Sequence, residues 1–168
     1  MEDLFRDFVQ FLHILCGVMW LGGGFYTILV QMPAVATVPA AARGPVVAQL
    51  IPKQLTYTLR LGEVTILTGI LNIFASGRGR EIEQYFGSRW SAAIIVGTIM
   101  AIVLLGLGHG LIKPSARRLL ELGPRAASGD VSAAAQAGAI TARLTRVGYV
   151  QIVLGVLIIA TMVIAGSA

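Results

Sequence analysis

Residues 11–26 read FLHILCGVMWLGGGFY. They lie in an uncharged apolar run, about 8–30, long enough to cross a membrane. Yet the run carries a histidine, a cysteine, a tryptophan and three consecutive glycines. Acyl chains need none of these, so the residues must serve contacts inside the protein. His13, Gly17, Trp20 and Gly24 recur every three or four positions and share one helix face. Glycines on that face let a neighbouring helix, or a flat ligand, approach the backbone.

The whole chain has the same character. It is 56% apolar and 12% charged over 168 residues, with mean hydropathy +0.80. Soluble domains carry about 45–50% apolar and about 25% charged residues. The net charge of +5 is spread between apolar segments, in no single patch or tail, which argues against a nucleic-acid partner and for a lipid bilayer. The lone Cys16 excludes an intrachain disulfide framework. The start MEDLFRD is acidic, unlike the basic n-region of a secretory signal, so the first run reads as a retained span.

About 20 apolar residues cross the hydrocarbon core as a helix. Three runs meet this with no charge; a fourth, 55–76, holds Arg60 and Glu63 at i and i+3, where they can pair. The expectation is an all-α integral membrane protein, a single four-helix transmembrane bundle over 1–168 with helices at about 8–30, 55–76, 90–112 and 146–166. Loop one contains Pro33, Pro39, Pro45 and Pro52, which break any continuous helix and leave room for a short interfacial one. Loop two, about 77–89, is short and mixed in charge. Loop three is long, and its Ala-rich part from Val131 to Thr145 reads as a helix extending the fourth span. Loops one and three hold Arg43, Lys53, Lys113, Arg117, Arg118, Arg125, Arg143 and Arg146, against Arg6, Arg78, Arg80 and Arg89 on the other side. The positive-inside rule places loops one and three in the cytoplasm and both termini outside.

Counting about 1.5 Å per residue sets depths. His13 falls near the outer surface with Cys16, Asn72 and Met162. His109 falls near the inner end of helix three, roughly 20 Å deeper, so the two histidines do not share one metal within a chain. Tyr26, Gln31, Arg60, Glu63, His109, Lys113, Arg143, Arg146, Tyr149 and Gln151 converge at the inner end. Ionisable groups at membrane depth face the bundle interior and a partner. A neutral imidazole at His13 suits iron, copper or zinc, and Met162 and Cys16 are soft ligands. The alternative for His13 is a hydrogen bond across the bundle, for instance to Asn72.

These residues resemble the CopD-type membrane superfamily (copper-resistance protein D and, more distantly, HemJ-type protoporphyrinogen oxidase). The resemblance rests on His13, on W-x-G-G at Trp20 to Gly23 followed by Phe25 and Tyr26, on Arg60, on GHGLIKPSARRLL ending helix three, and on the arginines of ARLTR. It implies a four-helix bundle that binds b-type haem through histidine. Helix four lacks the acidic residue of HemJ-like enzymes, so the haem scaffold is implied more directly than the oxidase reaction.

Three functions follow as expectations. The first is a haem b membrane protein acting in electron transfer or porphyrin or quinone redox chemistry. Its cofactor-binding residues are His13, Trp20, Arg60, His109, Lys113 and Arg146, the basic ones holding propionates or another carboxylate; its metal ligands come from His13, His109 and Met162. The second is copper handling, with His13, Cys16 and methionines passing Cu(I). The third is an accessory subunit whose glycine faces serve packing and a homodimer. The expected location is the inner cell membrane, with an unidentified redox partner.

Overall fold

A computed structural model describes residues 2–79, 82 and 87–168. Among them the regular elements are helical: α1 (Glu2–Tyr26), a π-helical turn (Thr27–Gln31), α2 (Met32–Thr37), α3 (Ala40–Ala75), α4 (Arg89–Leu107), a second π turn (Gly108–Ile112), α5 (Lys113–Ala127) and α6 (Val131–Gly166). Joined through their π turns they form four rods long and apolar enough to span a membrane: Asp3–Thr37, Ala42–Ala75, Arg89–Ala127 and Val131–Gly166. The large side chains left exposed, such as Phe8, Phe11, Leu67, Phe74, Ile99 and Val153, are the surface such a bundle turns to lipid.

The rods outlast the expected spans. Each has 34 to 39 residues, hence over 50 Å of helix against a hydrocarbon core of about 30 Å. The excess lies at one end, where α2 and the start of α3, and α5 and the start of α6, form two helical hairpins. The reading of loop one as helix-broken is therefore corrected: only Val38 and Pro39 separate α2 from α3. Pro33 stands in the first turn of α2 and Pro39 caps α3, positions that need no N–H. Pro45 and Pro52 are inside α3 and exposed, so their rings meet no packed neighbour and the helix runs through them at the cost of two backbone N–H donors. Likewise loop three contracts to 128–130. In α5 the apolar positions Ala116, Leu119 and Leu122 turn inward while Arg118, Glu121 and Arg125 face out, and the stripe packs on α6 beside Ala133. The extension of the fourth span over 131–145 is observed. Most of loop two lies outside the described residues.

α1 and α3 run antiparallel in a seam of alternating glycines. A Cβ at Gly69 would meet His13 Cε1 at 2.8 Å; at Gly17, Thr65 Cγ2 at 3.5 Å; at Gly62, Trp20 Cε2 at 2.7 Å; at Gly23, Tyr57 Cε1 at 3.1 Å. Each helix thus supplies glycine notches that the other fills, and the register continues to a hydrogen bond from Gln54 Nε2 to Thr27 Oγ1. On its other side α1 enters α6: Phe25 fills the notch at Gly155, and Ile28 that at Gly148. Trp20, Ala101, Leu104 and Ile158 form the central core. Trp90, Ala93 and Ala165 form a second near the chain termini.

The helix starts are capped. Ser88 and Ser91 exchange hydrogen bonds as a capping box on α4. Asp130 accepts from Ala133 N at 2.9 Å and pairs with Arg125 at 2.8 Å. The Ala133 N–H first, then the Arg125 guanidinium, hold the Asp130 carboxyl below its usual range.

Two outcomes are expected. Gly62→Val, which places a side chain in Trp20's volume, is expected to cost about 1–3 kcal/mol through overpacking, whereas Gly138→Ala, which meets no atom within 4 Å, should not destabilise; denaturation in micelles checks both. Asp130→Ala is expected to lower the melting temperature at neutral pH. Because the folded carboxyl titrates below the unfolded one, its contribution is present above the ordinary Asp range and fades as pH falls through the folded value. The melting curves of the two proteins should therefore converge in acid.

Candidate functional sites

The chain is a polytopic helical membrane protein in which α3 presents two polar centres on different faces. One faces α1. His13 is half-buried over Gly69, and its Nδ1 lies 2.9 Å from the Thr65 carbonyl oxygen. A carbonyl only accepts, so Nδ1 is the donor in this hydrogen bond. The partner is a backbone group, not the Asn72 side chain. Thr65 O also accepts from Thr68 Oγ1 at 3.2 Å. Asn72 is one turn further along α3 on the same side as Gly69, and its Oδ1 is buried with no partner among the described residues. Cys16 is buried as a free thiol.

The second centre faces α4. Glu63 Oε2 accepts from Arg60 Nη1 at 2.9 Å, the pair its spacing suggested. Glu63 Oε1 lies 3.1 Å from His109 Nε2, which joins α3 to the second π turn. That turn fits closely because Gly108 receives Leu59; a Cβ there would meet Leu59 Cδ2 at 2.8 Å. In a π turn the bond spans five residues, from Lys113 N to Gly108 O, and the extra residue re-aims side chains. The first π turn (Met32 N to Thr27 O) similarly offers Thr27 to Gln54 of α3. Both π turns therefore carry a polar tie to α3.

Glu63 and His109 line a cleft of about 350 Å³ together with Leu59, Arg60, Lys113, Arg117 and Leu120. Lys113 and Arg117 are one turn apart in α5. Arg117 was not among the residues expected at a site. Continuing the helix past Pro114 would have found it by its i, i+4 spacing from Lys113.

The other expected residues are placed as follows. Trp20 is 5% exposed, filling the Gly62 notch against Leu105. The Met162 methyl fills the notch at Gly97. Arg146, Tyr26 and Tyr149 are exposed, while Gln31 and Gln151 are half-buried. Arg143 lies with Arg118 in a second cleft on the opposite side of α5. His13 and His109 stand apart, on different faces of the bundle. Among the described residues no group of three His, Cys, Asp or Glu side chains is arranged to hold a metal ion.

Comparison with known proteins places the chain in no family. No family model matches it, and no solved structure does. It is similar to undecaprenyl-diphosphatase 1 of Pseudoalteromonas translucida (strain TAC 125), 28% identical over 94 residues, which cover 49% of this chain and 35% of that protein. The match thus spans about a third of that relative's length.

The Glu63–His109 contact is expected to be energetically coupled. A double-mutant cycle with Glu63→Gln and His109→Gln, read by denaturation in micelles, should give about 0.5–3 kcal/mol. Arg60, whose side chain is 77% exposed, should contribute less than about 1 kcal/mol when changed to Gln.

Proposed function

We propose that the protein is a haem b-binding integral membrane protein acting in electron transfer or in porphyrin or quinone redox chemistry, with His13 as the iron ligand. The observation that carries this reading is the hydrogen bond between His13 Nδ1 and the Thr65 carbonyl. Metal-bound histidines ordinarily donate the far ring N–H to a carbonyl or carboxylate, which fixes the ring and directs the other nitrogen's lone pair at the metal. The Thr65 carbonyl is the acceptor that would hold the ring in this way. The orphaned Asn72 Oδ1, one turn along the same face, is a further polar group awaiting a donor in that layer. The donor set fits a porphyrin iron, which needs only one or two protein ligands, better than a metal ion held by a cluster of side chains.

Bound haem b would supply one-electron redox chemistry. The chain's own residues orient the ligand ring through Thr65 and Gly69 and exclude water with Trp20 and the seam around it. The resemblance to CopD-type proteins supports the same ligand. The placement proposed is the inner cell membrane with both termini outside, supported by the eight basic residues of the 32–54 and 113–146 regions against four at the other end. The partial likeness to a diphosphatase covers too little of either chain to carry an activity across.

Protein expressed with ample haem is expected to show a Soret band whose intensity falls at least about tenfold in His13→Ala. In Gly69→Ala the new methyl displaces the ring, and the band should shift or weaken while helicity stays constant. A colourless wild-type protein that instead retains copper, lost in His13→Ala, would favour copper handling. Absence of both would leave an accessory subunit.

A further inference from the structure

The second centre has a charge surplus that its own residues do not resolve. Three cations, Arg60, Lys113 and Arg117, line the cleft with one carboxylate. That carboxylate is already bonded through both oxygens, to Arg60 and His109. Among the described residues the Lys113 and Arg117 side chains have no ion pair or hydrogen bond. Arg118, the next residue on α5, does have one, to Glu121 at 2.8 Å. The difference is directional: Arg118 turns to the far side of the helix, and Lys113 and Arg117 turn into the cleft. These cations also lie apart from His13. On α3 the seam positions Thr65 and Gly69 face α1, Leu59 and Glu63 face α4, and Gly69 is about 9 Å further along the axis than Glu63.

The cleft is also partly apolar: Leu55 and Leu59 of α3 and Leu120 of α5 line it beside the cations. It stands where α3 passes from the uncharged stretch that begins at Val64 to the segment carrying Lys53, Arg60 and Glu63. Cations beside apolar side chains complement a phosphate carried on a hydrocarbon chain.

We infer that this cleft is a binding site for a phosphate-bearing amphiphile: Lys113 and Arg117 grip the phosphate oxygens by charge-assisted hydrogen bonds, Arg60 flanks them, and the leucines take the first part of the chain. The Glu63–His109 bond holds α3 and the π turn together beneath the phosphate. The site is independent of haem at His13.

The test uses the purified full-length protein in neutral detergent micelles, prepared without added haem. Three probes are compared by native mass spectrometry and by thermal shift: dioleoyl phosphatidic acid, dioleoylglycerol with the same chains and no phosphate, and inorganic phosphate. Phosphatidic acid is expected to bind at least tenfold more tightly than either of the others. The double variant Lys113→Gln/Arg117→Gln is expected to lose at least tenfold in affinity for it, while Arg118→Gln is unchanged. Leu120→Asn should weaken phosphatidic acid and leave inorganic phosphate as it was. Equal binding of dioleoylglycerol, or full retention of phosphatidic acid by the double variant with its helicity intact, overturns the proposal. Equal binding of inorganic phosphate removes the amphiphile and leaves only a soluble-anion site, which also overturns it. None of these readings depends on a Soret band, so they stand or fall apart from the haem assignment.

Discussion

The close approach of α1 and α3 is the contact on which the remainder of the structure rests. Between helices in lipid the hydrophobic effect gives little drive, so van der Waals fit and the occasional hydrogen bond must supply it. The seam answers with reciprocal notches: His13 and Trp20 from α1 enter at Gly69 and Gly62, while Thr65 and Tyr57 from α3 enter at Gly17 and Gly23. A shift by one residue would set side chain against side chain along the whole seam. The same register aims His13 Nδ1 at the Thr65 carbonyl, so one packing solution fixes both the helix pair and the imidazole's orientation. It also turns Phe25 and Ile28 outward into α6 at Gly155 and Gly148, which makes α1 the element that unites the two hairpins.

α3 then separates two kinds of polar chemistry by rotation about its own axis. Towards α1 it shows backbone carbonyl and glycine, an uncharged surface against which the imidazole rests. Towards α4 it shows Glu63, which ties Arg60 and His109 together where the bundle emerges from its apolar zone. The π turns belong to this arrangement. Each lets a rod change the direction of its side chains without breaking, and each donates a polar group to α3 where it does so.

Several features were readable before any coordinates. The four spans followed from hydropathy and length, Arg60 and Glu63 from i, i+3 spacing, and the shared face of His13, Gly17 and Trp20 from helical periodicity. Other features were not. Proline was weighed as a helix breaker; Pro45 and Pro52 sit on the exposed side of α3, where the ring meets no packed neighbour, and α3 runs through them. The π turns have no sequence signature that periodicity can register, since one inserted residue looks like a small phase error. Arg117 stayed hidden because the helix was expected to end at Ile112. Asn72 was placed at the right level, but its pairing with His13 failed because a backbone carbonyl, which no sequence pattern marks, took the imidazole proton.

The amino-acid sequence alone determined that the chain is helical, apolar and membrane-spanning, because hydropathy and length are local properties. Tertiary structure decided which face of α3 each histidine meets, that Lys113 and Arg117 open into one cleft with Glu63, and that Trp20 and Met162 are packing residues filling glycine notches. Those outcomes depend on rotation and register between helices distant in sequence, and a turn of 100° about one axis, invisible in a hydropathy profile, is enough to send a side chain to a different neighbour.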